Sequence, residues 1–184
     1  MKIVKIMLLI ASFVAAVELG TTPQKLTLKD GLVELQGEKP WSDDYFRSNK
    51  QGYLLFYVDP DEETFNKHIE EKLDKAFKSY DDKFKNSITI INMAASWIPN
   101  VLIQPVIKER EKKYPYNKFV LDYNKTMVEK WGLEDDAYQV LIFSNEGKIV
   151  YANHKRLSDA DVEEVRVILK KQIDAYIEEH NISK

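Results

Sequence analysis

No cysteine occurs anywhere in the 184-residue chain. That absence excludes disulfides, thiolate metal sites, iron–sulfur clusters and every thiol-based redox mechanism, thiol oxidoreductase and peroxidase activity included. Glycine and proline are scarce, six of each, and no glycine-rich phosphate loop is present. The three histidines, His68, His154 and His180, are far apart. None forms an i, i+4 pair and no His-Glu-x-x-His pattern occurs, so they read as surface residues rather than zinc ligands. No serine sits in a Gly-x-Ser-x-Gly turn, the strand-to-helix elbow that exposes a nucleophile. Positive charge is not in excess either. Lys and Arg number 27 against 30 Asp and Glu, a formal net charge of −3. The run Lys108–Lys113 mixes both signs and reads as a solvated helix face, so nucleic acid is not an expected partner.

Long apolar runs are missing too. The longest, Ile6–Val17, has twelve residues, where a membrane span needs about 20. Lys2 and Lys5 precede it and Val14-Ala15-Ala16 ends it with small residues. A charged start, a short apolar core and a small-residue end predict a signal peptide over 1–16, cleaved after Ala16. No cysteine follows, so a lipoprotein signal is excluded. The expected product is an exported, periplasmic protein with no stable membrane anchor after cleavage, folded as a single domain over 17–184. A hydrophobic content of 44% with 31% charged residues fits a globular domain of that size.

Periodicity gives the element order. Lys25–Leu35 alternates apolar and polar residues around Asp30-Gly31, which predicts a hairpin turning there. Tyr53–Val58 is a continuous apolar run, expected for a strand buried on both faces, and Ser87–Asn92 is expected to be the next buried strand. Between them Phe65, Ile69, Leu73, Ala76, Phe77 and Tyr80 recur at helical spacing. A second helix is expected over Val101–Lys113, with Pro105 near its first turn and Pro115 beyond its end. A short strand at Lys118–Leu121 and a brief helix at Thr126–Trp131 stopped by Gly132 follow. Gln139–Phe143 and Lys148–Ala152 pair as a hairpin. Ser158 and Asp161 form a capping box, with Leu157 and Val162 as a hydrophobic staple. They open a last helix that buries Val162, Val165, Leu169, Ile173 and Tyr176. Alternating strands and helices imply an α/β fold with a mixed, mostly parallel central sheet flanked by helices, preceded by an N-terminal β-hairpin.

That order resembles a thioredoxin-like fold, and Trp131-Gly-Leu133, Gln139–Phe143 and Asn145–Val150 are similar to the C-terminal unit of thioredoxins and peroxiredoxins. Ile90-Ile-Asn92, Lys112–Tyr116, Phe119–Asp122, Trp131-Gly-Leu133, Gly147–Val150 and Leu157-Ser158 resemble more narrowly the YtfJ family. These are small exported bacterial proteins of thioredoxin-like fold and no established activity. The resemblance implies fold and compartment, not mechanism. It also shows what has been lost. Where thioredoxins carry a Cys-x-x-Cys pair, this chain has Asp59-Pro60-Asp61-Glu62-Glu63. Where they carry a cis-proline, it has Asp136-Ala137-Tyr138, for which a trans peptide is expected.

Two acidic loops, Asp59–Glu63 and Glu134–Asp136, are therefore expected to face each other across the former redox site. Carboxylates so placed can bind a hard cation or share a proton, or can simply cap a helix and be solvated. No calcium-loop pattern is present. Asn92–Trp97 leaves the second central strand on the same edge, where open α/β sheets bind ligands. Trp97 is then either an exposed contact for a partner or, as is usual for tryptophan, packed under its own loop. Trp41 and Trp131 read as packing residues. The candidate binding residues are Asp59, Asp61, Asn92, Trp97, Asp136 and Tyr138. No catalytic residue, cofactor or metal ligand is assigned. The first reading is a non-catalytic module that binds an exported protein or a ligand, and the alternative is a carboxylate-based enzyme or divalent-cation-binding protein using Asp59, Asp61 and Asp136.

Overall fold

The computed structural model describes residues 17–34, 37–44, 50–81 and 84–182. The expected leader, 1–16, lies outside the described residues. Strands β1 (Thr27–Glu34), β2 (Gly37–Ser42), β3 (Tyr53–Val58), β4 (Ser87–Asn92), β5 (Asn117–Asp122), β6 (Tyr138–Phe143) and β7 (Ile149–Asn153) form one sheet in the order β2-β1-β5-β4-β3-β6-β7. The central strands β3, β4 and β5 are parallel, and the strands flanking them are antiparallel. Helices α1 (Lys67–Ala76), α2 (Asn100–Lys113), α3 (Thr126–Trp131) and α4 (Asp159–Glu179) lie between or after the strands. Among the described residues no helix is long and apolar enough to cross a membrane.

Strand parity divides the core into layers. Leu54, Phe56 and Val58 of β3 face Ile69 and Leu73 of α1 and the buried stripe of α4. Ile91, Phe119 and Leu121 meet Ile103 and Ile107 of α2. Tyr53, Leu55, Tyr57, Ile88, Ile90 and Val120 turn the opposite way, against Met127 and Trp131 of α3. β3 and β4 are covered on both faces, so β3 is continuously apolar and β4 is buried from Ile88 to Asn92, and both strands have the bounds expected from sequence.

The capping box at α4 is complete. Ser158 N donates to Asp161 Oδ2 at 2.7 Å and Asp161 N donates to Ser158 Oγ at 3.2 Å. Leu157 and Val162 both enter the core beside it. Gly132 ends α3 at φ 67°, a left-handed conformation that glycine adopts without cost.

Three expectations are corrected. The N-terminal hairpin exists, but it does not turn at Asp30-Gly31. Those residues lie inside β1, where the register against β2 shifts between Leu28 and Leu32, and the chain reverses between Glu34 and Gly37. A β-carbon on Gly31 would lie 2.7 Å from Leu28 Cβ and 3.1 Å from the carbonyl of Leu121. Glycine is therefore there for close approach to β5, not for a turn. Pro105 sits in the second turn of α2, which begins at Asn100. It removes the donor that would otherwise bond the carbonyl of Val101. Ala76 is exposed at the end of α1, and Phe77 fills the core position beyond it. In α4, Ile177 completes the buried stripe and Tyr176 is only half-buried.

Candidate functional site

The C-terminal ends of β3, β4 and β5 define one edge of the sheet. Val58 pairs with Ile91, and Asn92 with Asp122. Asp59, one residue past β3, thus comes level with Asn92, and parity puts Asp59, Asn92 and Asp122 on the same face as Tyr57. All three polar residues are buried.

Asp59 N donates to the carbonyl of Ala137 at 3.0 Å. That bond joins the two acidic loops, as their positions in the sequence predict. The Asp59 carboxylate accepts from Asp61 N at 2.9 Å and caps the short 3-10 turn Pro60–Glu62. Burial pushes its pKa above the ordinary aspartate value, and the nearby charges of Asp61, Asp136 and Glu62 push the same way, against the lowering effect of the Asp61 N–H.

Asn92 acts as a strut. Its Nδ2 donates to Asp135 Oδ1 at 2.9 Å and to the Asp135 carbonyl at 3.3 Å, so the second loop is tied to β4. Its Oδ1 is buried and accepts no hydrogen bond. Burial alone would raise the Asp135 carboxyl, but hydrogen bonds from Lys125 and Asn92 outweigh it and hold the group below the usual range. Lys125 reaches Asp135 at 2.5 Å from a left-handed backbone position, φ 54°.

Asp122 accepts from Thr126 N and Met127 N, each at 2.9 Å, and thereby caps α3 from four residues upstream. It also accepts from Tyr57 Oη at 3.2 Å. Burial first, and Asp122 second, raise the Tyr57 phenol well above its ordinary pKa. Neither this Asp122–Tyr57 link nor the Asp135–Lys125 tie was anticipated from sequence. The available signal was an aspartate closing a strand shortly before a helix start that has no capping side chain of its own.

Five of the six candidate residues thus gather at one edge. Asp61 joins through Ser96, whose Oγ donates to Asp61 Oδ1 at 3.0 Å. Asp136 lies close enough to raise Asp59. Trp97 follows Ser96 and is 82% exposed, so of its two readings the exposed one describes this structure. Trp41 and Trp131 are buried, as expected. Tyr138 does not belong to the cluster. Its side chain is fully buried beside Phe56 and donates to Glu70 Oε1 of α1 at 2.8 Å, making it a core residue. The Ala137–Tyr138 peptide is trans. Among the described residues no group of three or more His, Asp or Glu is placed to hold a metal ion. A separate apolar recess of about 80 Å³, between α1, α4 and the N-terminal strand ends, contains none of the six.

A mixed sheet with this strand order, a parallel centre and helices on both faces defines a thioredoxin-like protein, and its edge carries carboxylates where redox members carry thiols. Solved structures agree on the fold. A hypothetical protein from Sinorhizobium meliloti 1021 superposes with a TM-score of 0.58 at 16% identity, over 87% of this chain and 86% of its own. The exposed lipoprotein thioredoxin Etrx1 of Streptococcus pneumoniae strain TIGR4 superposes with a TM-score of 0.55 at 13% identity, over 77% and 97%. Residues 61–172 match the family described as "Bacterial protein of unknown function (YtfJ_HI0045)", and the chain belongs to that family. It is 24% identical over 99 residues to the uncharacterized protein YtfJ of Escherichia coli (strain K12). That alignment spans about half of each, 53% of this chain and 53% of the relative.

Proposed function

We propose that the chain is a non-redox binding module of the periplasm that engages an exported protein through its acidic sheet edge and Trp97. The observation that carries this reading is the exposure of Trp97 on the loop leaving β4, beside two acidic loops locked together by Asn92 and Asp59. An exposed indole on a braced loop is typical of a contact anchor. With no thiol in the chain, the redox chemistry of the fold is closed to it. A fixed fold with a lost reactive pair can still hold a partner, because function resides in the site and not in the fold. The acids support binding over catalysis. Asp61 is bonded to Ser96, Asp135 to Lys125 and Asn92, and Asp59 to its own 3-10 turn.

The test is in-cell photocrosslinking with the full chain carrying p-benzoylphenylalanine in place of Trp97, followed by fractionation. A discrete covalent adduct with one exported protein, found in the periplasmic fraction, is the expected result. Recovery of the chain in the cytoplasm would refute the compartment. An absence of any adduct from position 97, with the protein folded and exported, would refute the binding role.

A further inference from the structure

Helix α2 has two apolar faces, which a surface helix packed on one side does not need. Its inner face, Ile103 and Ile107, is buried against the sheet. Its outer face carries Val101, Leu102 and Val106, which are 73%, 60% and 48% exposed, and Trp97 precedes them on the entering loop. Leu102 and Val106 are four apart and so stand one above the other, with Val101 beside them. Nothing among the described residues covers this row. A contiguous exposed apolar patch of this kind marks a contact surface more often than chance.

The acids lie towards the Trp97 end of the row. Asp61 and Glu62 lie on one flank, tied to the Trp97 loop by the Ser96 bond, and Glu134 and Asp136 lie on the loop that Asp59 joins to it. Two of the nearby cations are committed, while Lys108 and Lys112 lie further along α2, towards the end away from Trp97. Lys125 pairs with Asp135, and Arg110 pairs with Glu63 at 3.0 Å and with Glu70 at 3.5 Å. Among the described residues no lysine or arginine pairs with Asp61, Glu62, Glu134 or Asp136. The Trp97 end of the apolar strip thus lies beside acidic loops whose Asp61, Glu62, Glu134 and Asp136 form no salt bridge with a described lysine or arginine.

Building on the binding role proposed above, we infer that the partner is a protein segment with an aromatic or aliphatic anchor flanked by lysine or arginine. The anchor seats on Trp97 and Leu102, and the basic flanks face Asp61, Glu62 and Asp136. Rim charges of this kind mainly speed and orient association, while the apolar centre supplies affinity. The same charges disfavour the other occupants. Anionic lipid headgroups are repelled by an acidic rim. A second copy docking through the same face would set carboxylates against carboxylates across a two-fold axis.

A randomised peptide library selected on the immobilised full chain, with Trp97→Ser as counter-selection, tests the inference. Trp97 is mostly solvent-exposed, so the variant is expected to fold, which circular dichroism checks. Enriched peptides are expected to carry an apolar anchor with Lys or Arg within a few positions. A synthetic copy of the strongest binder should bind about tenfold more weakly at high salt than at low salt. An Asp61→Lys/Asp136→Lys variant should prefer Glu-flanked versions. Enrichment of uncharged or acidic flanks, salt-insensitive binding, or no enrichment beyond the Trp97→Ser control overturns it. So does partition of the chain onto anionic vesicles, or a concentration-dependent dimer that Trp97→Ser abolishes. If position 97 crosslinks to an exported protein while the peptides carry no basic flanks, the inference fails and the binding role stands. If neither adduct nor enrichment is found, both fail.

Discussion

Asp59 carries its charge in a place that disfavours charge. It is buried, and Asp61, Asp136 and Glu62 surround it. Because its folded pKa is raised, the native state binds more protons than the unfolded chain in the window between the ordinary aspartate value and the raised one. Stability therefore falls as pH climbs through that window. Asparagine at this position keeps an acceptor for the Asp61 N–H and removes the charge. Asp59→Asn is expected to melt at a temperature equal to or above the parent at neutral pH, with the difference shrinking towards about pH 4. Thermal melts across that range check it. A variant less stable at neutral pH would mean that the carboxylate makes interactions outweighing its burial. At this scale the sequence was only partly informative. Asp59, Asp61, Asn92 and Asp136 could be placed because each sits at a strand end or beside one. The fate of Trp97 and Tyr138 could not, because an indole on a loop and a phenol opening a strand are compatible with either side of the surface. Parity decides for Tyr138, since it is level with Val58 on the helix-covered face. Neighbouring bulk decides for Trp97, since Ile103 and Ile107 already fill the space under α2.

Elements were legible wherever burial on both faces or a cap wrote the signal locally. Tyr53–Val58 reads as a strand from apolar content alone, Ser87–Asn92 from its isoleucines and β-branched residues, and the start of α4 from Ser158 and Asp161. The hairpin at the N-terminus shows the limit. Asp-Gly is a strong local turn signal, yet a long-range contact claims this glycine. A β-carbon at Gly31 would be 2.7 Å from Leu28 Cβ, 3.1 Å from Val120 Cγ1 and 3.1 Å from the Leu121 carbonyl. None of those three is the far end of a flexible side chain, so β1 must move away from β5 or distort its own bulge. Gly31→Ala is expected to destabilise by about 1–3 kcal/mol, the usual cost of overpacking. Were Asp30-Gly31 a free turn, the cost would be near zero. Urea unfolding distinguishes the two, and an unchanged midpoint would refute the close-packing account.

The molecule as a whole is unevenly held. The parallel centre β3-β4-β5 and the pair β3-β6 run in unbroken register along most of their length. The N-terminal hairpin is attached differently. β1 pairs with β5 through Leu32 and Val120, and with β2 through a ladder interrupted between Leu28 and Leu32. Leu26, Leu28 and Trp41 do pack into the layer that holds Met127 and Trp131, so the hairpin is docked and not loose. It nevertheless has one neighbour in the sheet where each central strand has two. Cooperative units with fewer ladder bonds open at lower free energy than the global transition. Amide hydrogens of β1 and β2 are therefore expected to exchange faster than those of β3, β4 and β6, which should exchange only through global unfolding. The candidate site sits at the ends of β3 and β4, on the most protected part of the sheet. Its geometry should survive opening of the hairpin, and the backbone amides of β4 up to Asn92 should show protection equal to that of the core. Native-state hydrogen exchange followed by mass spectrometry reads both segments in one experiment. Equal protection for the hairpin and the centre would mean that the sheet unfolds as one unit and that the hairpin is as firmly bound as the strands bearing the site.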